Sequence, residues 1–479
     1  MKKTLVSLLL LAAMIVNIFA FTSCFKPKGS GLIELDLTGA YDGSQVTITF
    51  WHTMGADNRT LLEGAIKRFN QMYPNIKVEH QNYGDYDEVF SQIRTKMNAG
   101  KQPNIAYCYP DHVATYNKAR VVLTLDDLIN NTSIIASTGE MMGLTQDQLN
   151  DFIEGYYNEG KAYGDGKMYS LPFQKSTEVL YYNKTVFDRL GLEAPKTWDD
   201  VENAIQVLKA EYPRSIPLGY DSAENMFITL AAQNHPNDPN GGYTSATGEH
   251  YIFDNDVNKA FTKKFAEWYQ KGWLYTPNPT TSGYTSDYFK KDDNEDGKIF
   301  MSIGSSAGAR YQRPTPTDDG SYPFEVGIVS LPQVDVNNPK VISQGPSICI
   351  FEDENVQEVY ASWLFVKFLT TDAQFQAQYS MASGYVPVIK SVGETQLYKD
   401  YLNKANGGDF ITSLVAKVAL EQEAAYFTSP AFAGSADART NVGNLIYSVF
   451  ANYDLNATDA ANNAMINEKF ALQIAECKK

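Results

Sequence analysis

Residues Val46–Tyr107 read VTITFWHTMGADNRTLLEGAIKRFNQMYPNIKVEHQNYGDYDEVFSQIRTKMNAGKQPNIAY. The first six alternate and are rich in β-branched and aromatic side chains, which predicts a strand over Val46–Trp51. Thr60, with Glu63 three positions on, forms a capping box for a helix. Leu61, Leu62, Ala65, Ile66, Phe69, Met72 and Tyr73 keep helical spacing, and Pro74 stops it. Ile76, Val78 and His80 predict a second strand. Asp85, again followed by a Glu three on, opens a helix through Val89, Ile93 and Met97 that ends at Gly100. Asn104–Tyr107 is a third, short strand. The order β-α-β-α-β in so short a span requires a parallel sheet flanked by helices, an α/β fold. Ligands in such sheets sit at the carboxyl ends of strands. The loops His52–Asn58 and Tyr109–Thr115 are therefore the first places to look for a site.

Outward from that stretch, the N-terminus says where the chain works. Lys2 and Lys3 precede an apolar run from Leu5 to Val16, and Phe21-Thr22-Ser23-Cys24 follows. Basic, apolar and small-before-Cys is the order of a bacterial export signal over residues 1–24 that ends at a lipidation site, Cys24. The alternative is an uncleaved membrane anchor. The sequence places the protein outside the cytoplasmic membrane, lipid-anchored, in the periplasm or on the cell surface. Residues 25–45, opening with Lys-Pro-Lys-Gly-Ser-Gly, read as a tether.

The chain has 479 residues, 43% hydrophobic and 20% charged, as expected of a globular protein with more than one core. Net charge is −16, and removing Lys2 and Lys3 with the signal leaves 38 basic against 56 acidic residues, −18. That balance argues against nucleic acid as a partner. Cys108, Cys349 and Cys477 are odd in number and spaced like no metal site, and the five histidines form no HExxH pattern. No metal or cofactor is expected.

A second region has its own signature. Leu180-Tyr181-Tyr182-Asn183-Lys184 is followed by Phe187, Leu190-Gly191-Leu192 and Pro195-Lys196-Thr197-Trp198-Asp199-Asp200. Val179–Tyr182 predicts an apolar strand, and Thr197 caps a helix carrying Val201, Ala204, Ile205 and Leu208. Together with FNQMYPNIKVE (69–79), GKIFMSIG (297–304), VGIVSLP (326–332), ASWLFVKFLTT (361–371) and SGYVPV (383–388), this run resembles the family 1 extracellular solute-binding proteins of ABC importers. That group includes maltodextrin, multiple-sugar and glycerol-3-phosphate binders.

The resemblance implies a two-lobed periplasmic-binding-protein fold of type II. Its lobes are discontinuous and joined by a hinge, and the cleft between them closes on the ligand. It places crossings near Val121–Leu125, Met301–Ala307 and Ile350–Val356. Lobe 1 is then 46–122 plus 304–352, and lobe 2 is 123–303 plus 353–479. The closed form would be recognised by a membrane permease, and the protein is expected to be a monomer and not an enzyme. Trp51-His52-Thr53-Met54 looks most like the glycerol-3-phosphate branch. Carrying that branch's contacts over gives Tyr86, Asp111, Ser176, Ser305, Gly345, Tyr385 and Arg439, besides Trp51 and His52, as ligand-binding residues. The branch has Glu where this chain has Asp111, and a Trp where Ala223-Glu224 follows Gly219-Tyr220-Asp221-Ser222. A phosphate wants Arg and amides. Asp111 suits hydroxyls, so the expected ligand is a carbohydrate or other polyol, with glycerol-3-phosphate second.

Other motifs fail on inspection. Asp292, Asn294, Asp296 and Gly297 begin like a calcium loop, but the twelfth position is Ile303 where Glu is required. No P-loop, nucleophile elbow or dinucleotide fingerprint is present. An exported glycosidase would need a facing carboxylate pair that the sequence does not identify. A sensor lipoprotein on the same fold is the other alternative.

Overall fold

The computed structural model describes residues 35–278, 283–404 and 411–479. The signal 1–24 with its lipidation site Cys24, and most of the expected tether, lie outside the described residues. From Leu35 onward the chain is no tether. Leu37 and Tyr41 are buried in the first lobe, Asn131 donates to the Gly39 carbonyl at 2.7 Å, and Tyr360 donates to the Asp36 carbonyl at 3.0 Å.

The opening strands form as expected. β1 (Val46–His52) pairs in parallel with β2 (Ile76–Asn82), Val46 opposite Ile76, and with β3 (Ile105–Cys108), Phe50 opposite Ile105. Alternation along β1 sorts its side chains by face. Ile48 and Phe50 enter the large lobe 1 core, while Trp51 joins a smaller cluster with Val89 and Ile93 on the opposite face. The first helix runs Ala56–Met72, one turn earlier than Thr60 indicated. Gly55 is its N-cap, and the Thr60 hydroxyl donates back to the Ala56 carbonyl at 3.2 Å instead of capping. Asp85 does cap the helix Tyr86–Met97, accepting from the Glu88 amide at 2.8 Å.

Antiparallel strands complete this sheet. β4 (Leu171–Pro172) and β11 (Ser347–Ile350) join it, giving the order β2-β1-β3-β11-β4. The second sheet is built on β5 (Ser176–Asn183), whose run is buried on both faces between two clusters, Leu180 in one and Val179 and Tyr181 in the other. β6 (Leu218–Tyr220), β7 (Leu274–Tyr275), β8 (Met301–Ser305), β10 (Val341–Gln344) and β12 (Tyr426–Phe427) give the order β12-β10-β5-β8-β6-β7, and β9 (Val326–Ser330) also pairs with β5. The helices Trp198–Glu211, Ala223–Asn234, Asp256–Gln270, Ser435–Asn452 and Asp459–Cys477 supply the core on this sheet. Thr197 caps the first of them in a full capping box with Asp200. Two α/β lobes, each with its own core, result.

The lobes divide elsewhere than the sequence indicated. The chain passes from the first sheet to the second between Pro172 and Ser176, and back between Gln344 and Ser347. It passes over again between the helix Gln396–Asn403, whose Tyr398 and Tyr401 belong to the lobe 1 core, and β12. Residues 123–173 belong to lobe 1, because Leu123 donates to the Ile350 carbonyl at 2.9 Å and Leu125 enters the lobe 1 core. Residues 304–344 belong to lobe 2, because β8, β9 and β10 all pair with β5. Residues 356–401 return to lobe 1, with Trp363 and Phe375 in its core. The reason is cross-chain pairing: each crossover is decided by which strand it meets, not by local composition.

Candidate functional site

The carboxyl ends of β1 and β3 open towards the junction of the lobes. After β3, Tyr109 caps the helix Pro110–Lys118, and its Pro at the first position fixes the turn. That places Tyr109 and Asp111 in a small pocket of about 60 Å³ with Gly345 on the returning crossover and Arg439 on the helix Ser435–Asn452. Arg439 donates through Nη2 to Asn225 Oδ1. Asn225 stands in the first turn of Ala223–Asn234, a helix capped by the Ser222 hydroxyl at 3.1 Å. Burial works against the guanidinium charge, but Asp111, Tyr109, Glu224 and Tyr243 outweigh it and hold its pKa above the usual value. The pocket thus keeps one cation. Burial raises the phenols of Tyr109 and Tyr243 far above their ordinary range, so both remain O–H donors. Tyr243 Oη, Ser343 Oγ, Ser429 Oγ and Gln344 Nε2 line this pocket with no hydrogen-bond partner among the described residues. Buried polar groups in native proteins are almost always paired. A ligand rich in hydroxyl or phosphoryl oxygens satisfies such a set.

Two further cavities continue the trough. One in lobe 2, lined by Ser305, shares Gln344 with the first. Another, between Gly55–Asn58 and Tyr385 of lobe 1 and Ala307 and Arg310 of lobe 2, shares Tyr311 with the second. Both loops expected to matter therefore reach the cleft. Asp111, Gly345 and Arg439 share one pocket, Ser305 lies in the second cavity and Tyr385 in the third. Tyr86 connects them: its ring stacks on Tyr109 with centroids 4.4 Å apart, and its hydroxyl lies 3.5 Å from that of Tyr385.

Three expected residues are placed differently. Ser176 is 2% exposed at the start of β5, opposite Gln344, and lines none of these cavities. Trp51 points to the far face of the lobe 1 sheet, with Tyr83 at 4.6 Å and the Lys96 ammonium at 5.0 Å from its ring. His52 is wholly buried. Its Nδ1 accepts from the Met54 amide at 3.1 Å, and its Nε2 lies 3.0 Å from His80 Nδ1. Strand parity explains both: a residue at the end of β1 faces one core or the other, and only the loop beyond it reaches the cleft.

The sequence reading missed Glu178, Asn225 and Tyr243. Glu178 had a legible signal, a lone charge inside an apolar central strand. It also missed the crossover pair. Lys175, fully buried between β4 and β5, donates to Glu159, to the Gly345 carbonyl at 3.3 Å and to Ser347 Oγ at 3.1 Å. Glu159 lines the Arg439 pocket from below and accepts from Thr428 Oγ1 at 3.3 Å.

Comparison with known proteins places this architecture. Residues 64–406 match the family model described as bacterial extracellular solute-binding protein. The chain belongs to that family. Among its relatives within these solute-binding proteins is the sn-glycerol-3-phosphate-binding periplasmic protein UgpB of Salmonella typhimurium. It is 24% identical over 393 residues, covering 79% of this chain and 83% of the relative. Solved structures of the same fold include UgpB from Mycobacterium tuberculosis in complex with glycerophosphocholine, with TM-score 0.67, 18% identity, and 90% and 99% of the two chains covered. Another is the maltose/maltodextrin-binding domain MalE from Bdellovibrio bacteriovorus bound to maltotriose, with TM-score 0.62, 17% identity, and 90% and 100% covered. Among the described residues, no helix is long and apolar enough to cross a membrane.

Proposed function

We propose that this solute-binding protein captures a carbohydrate or other polyol in its interlobe cleft and delivers it to the permease of an ABC importer, working outside the cytoplasmic membrane as a monomer held by lipid on Cys24. The observation that carries this reading is the Arg439 pocket. Residues of both lobes meet there, and four of those lining it carry a buried polar atom with no partner among the described residues. Such a ligand joins the lobes and satisfies those atoms together. The contact set we assign is Asp111, Gly345 and Arg439 in the pocket, with Ser305, Tyr86 and Tyr385 along the trough. Glycerol-3-phosphate is the second reading. It is supported by the charged Arg439 and by relatives named for that ligand.

The experiment is a thermal-shift screen of residues 25–479 against mono- and oligosaccharides, polyols and glycerol-3-phosphate. A ligand that binds only the native state raises the melting temperature, by about 2.7 kcal/mol of stabilisation at a hundredfold excess over Kd. A shift confined to a sugar class supports the first reading. A shift with glycerol-3-phosphate alone, abolished by Arg439→Ala, supports the second. No shift with any of these solutes would overturn the receptor role.

A further inference from the structure

The larger lobe 2 cavity, of about 610 Å³, is chemically unlike the Arg439 pocket it adjoins. Glu178 on β5 lines it and is 1% exposed. Asp221, one residue past β6, lines it too, with Oδ1 accepting from the Thr285 amide at 2.7 Å. Gln312 is 2% exposed, lines the same cavity, and its Oε1 has no hydrogen-bond partner among the described residues. At the rim stand Tyr284 and Tyr311, 70% and 63% exposed.

An acceptor buried without a donor is costly unless a ligand supplies one. Two carboxyls and an amide oxygen around one space ask for several donors, and exposed aromatic faces beside them offer an apolar surface for a ring. We propose that this cavity is a second ligand subsite, in which Glu178, Asp221 and Gln312 bind the hydroxyl groups of a sugar-sized part of the solute while Tyr284 and Tyr311 flank its ring. The inference rests on the receptor reading above and narrows its ligand to a saccharide that spans both pockets.

The alternative occupants fit less well. Cavities of about 300–1,000 Å³ already hold drug-sized molecules, so a three-carbon phosphoester leaves most of this trough unused. A cationic group would need fully ionised carboxylates. Burial pushes Glu178 up to about 7, against the opposing pull of its hydrogen bonds to Tyr220 and Asn225 and of Arg439, and Asp221 raises it further. Lys290 lines the same cavity. Near neutral pH the Glu178 carboxyl therefore exchanges between acceptor and donor, which suits hydroxyls and not a fixed cation. Asn225 bonds to both Arg439 and Glu178, so the two subsites share one polar chain.

The test is calorimetric titration of the purified protein with a panel of di- and trisaccharides, maltotriose included, and with glycerol-3-phosphate. It is run on the wild type, Glu178→Gln and Gln312→Ala, with melting temperature as the folding control. Each variant should weaken saccharide binding at least tenfold. Wild-type affinity should change between pH 6 and 8, and the Glu178→Gln profile should be flat. Gln312, on a different wall, keeps the test decisive if Glu178→Gln fails to fold. Saccharide affinity within twofold of wild type in the folded variants would overturn the subsite, as would a wild type that binds glycerol-3-phosphate and no saccharide. A wild type that binds no member of the panel would instead remove the receptor reading, and the subsite with it.

Discussion

At the scale of single residues, the chain uses burial to set charge. His52 is buried beside His80, with Arg59 near, and its pKa falls from 6.5 to about 3. Burial is the main cause, followed by repulsion from His80 and Arg59. In the unfolded chain His52 takes up a proton below about pH 6.5. The folded protein refuses that proton until about pH 3, so the unfolded state binds more protons in this window and stability falls as pH drops through it. The loss is up to about 1.4 kcal/mol per pH unit for one such group. Urea midpoints between pH 7 and 4 should therefore fall more steeply for wild type than for His52→Gln. Equal slopes would show that His52 does not carry the effect. Arg439 is the opposite case, a cation kept charged because Asp111 and its polar neighbours outweigh its burial. Neither role is readable from composition, since each depends on neighbours from distant segments.

At the scale of elements, caps and strand periodicity were readable, and their exceptions have physical causes. The Thr197–Asp200 box and the Asp85 cap stand where local chemistry puts them. Thr60 does not cap because the helix already begins at Ala56, which puts Thr60 in its second turn with its hydroxyl donating to the Ala56 carbonyl. The crossover at Gly345 obeys a stricter rule. Its φ is +91°, and an added Cβ would lie 2.4 Å from the Gln174 carbonyl oxygen and 2.9 Å from Lys175 Cα, so two crossover backbones touch there. Gly345→Ala should cost about 2–5 kcal/mol from backbone strain and overpacking together. Gly64→Ala, in the helix Ala56–Met72 with nothing within 4 Å of the new Cβ, should be neutral or gain up to about 1 kcal/mol. Equilibrium unfolding of the two variants checks the contrast, and similar values would refute close packing of the crossovers.

At the scale of the whole molecule, the two lobes are tied beneath the ligand pocket by one buried ion pair. Lys175 lies on the outgoing crossover and reaches Gly345 and Ser347 on the returning one, while Glu159 reaches Thr428 on the later passage. Breaking a buried pair from one side strands the other charge. Lys175→Met should cost about 3–5 kcal/mol, and adding Glu159→Leu should recover much of that loss. A double-mutant cycle on unfolding free energies measures the coupling. Near-additive losses would mean that each residue acts alone.

The order of strands and helices in Val46–Tyr107, the apolar run of β5 and the family signature around Leu180–Asp200 were all written in local pattern, because periodicity and capping act over a few residues. The division into lobes and the make-up of the cleft were not. They follow from pairings such as Ser176 with Gln344 and Cys108 with Ser347, between segments more than 160 residues apart. Those pairings decide that Trp51 turns away from the cleft and that Asp111 faces Arg439. They also leave Glu178 in a cavity wall and not in a solid core, because side-chain surroundings are a property of the packed whole.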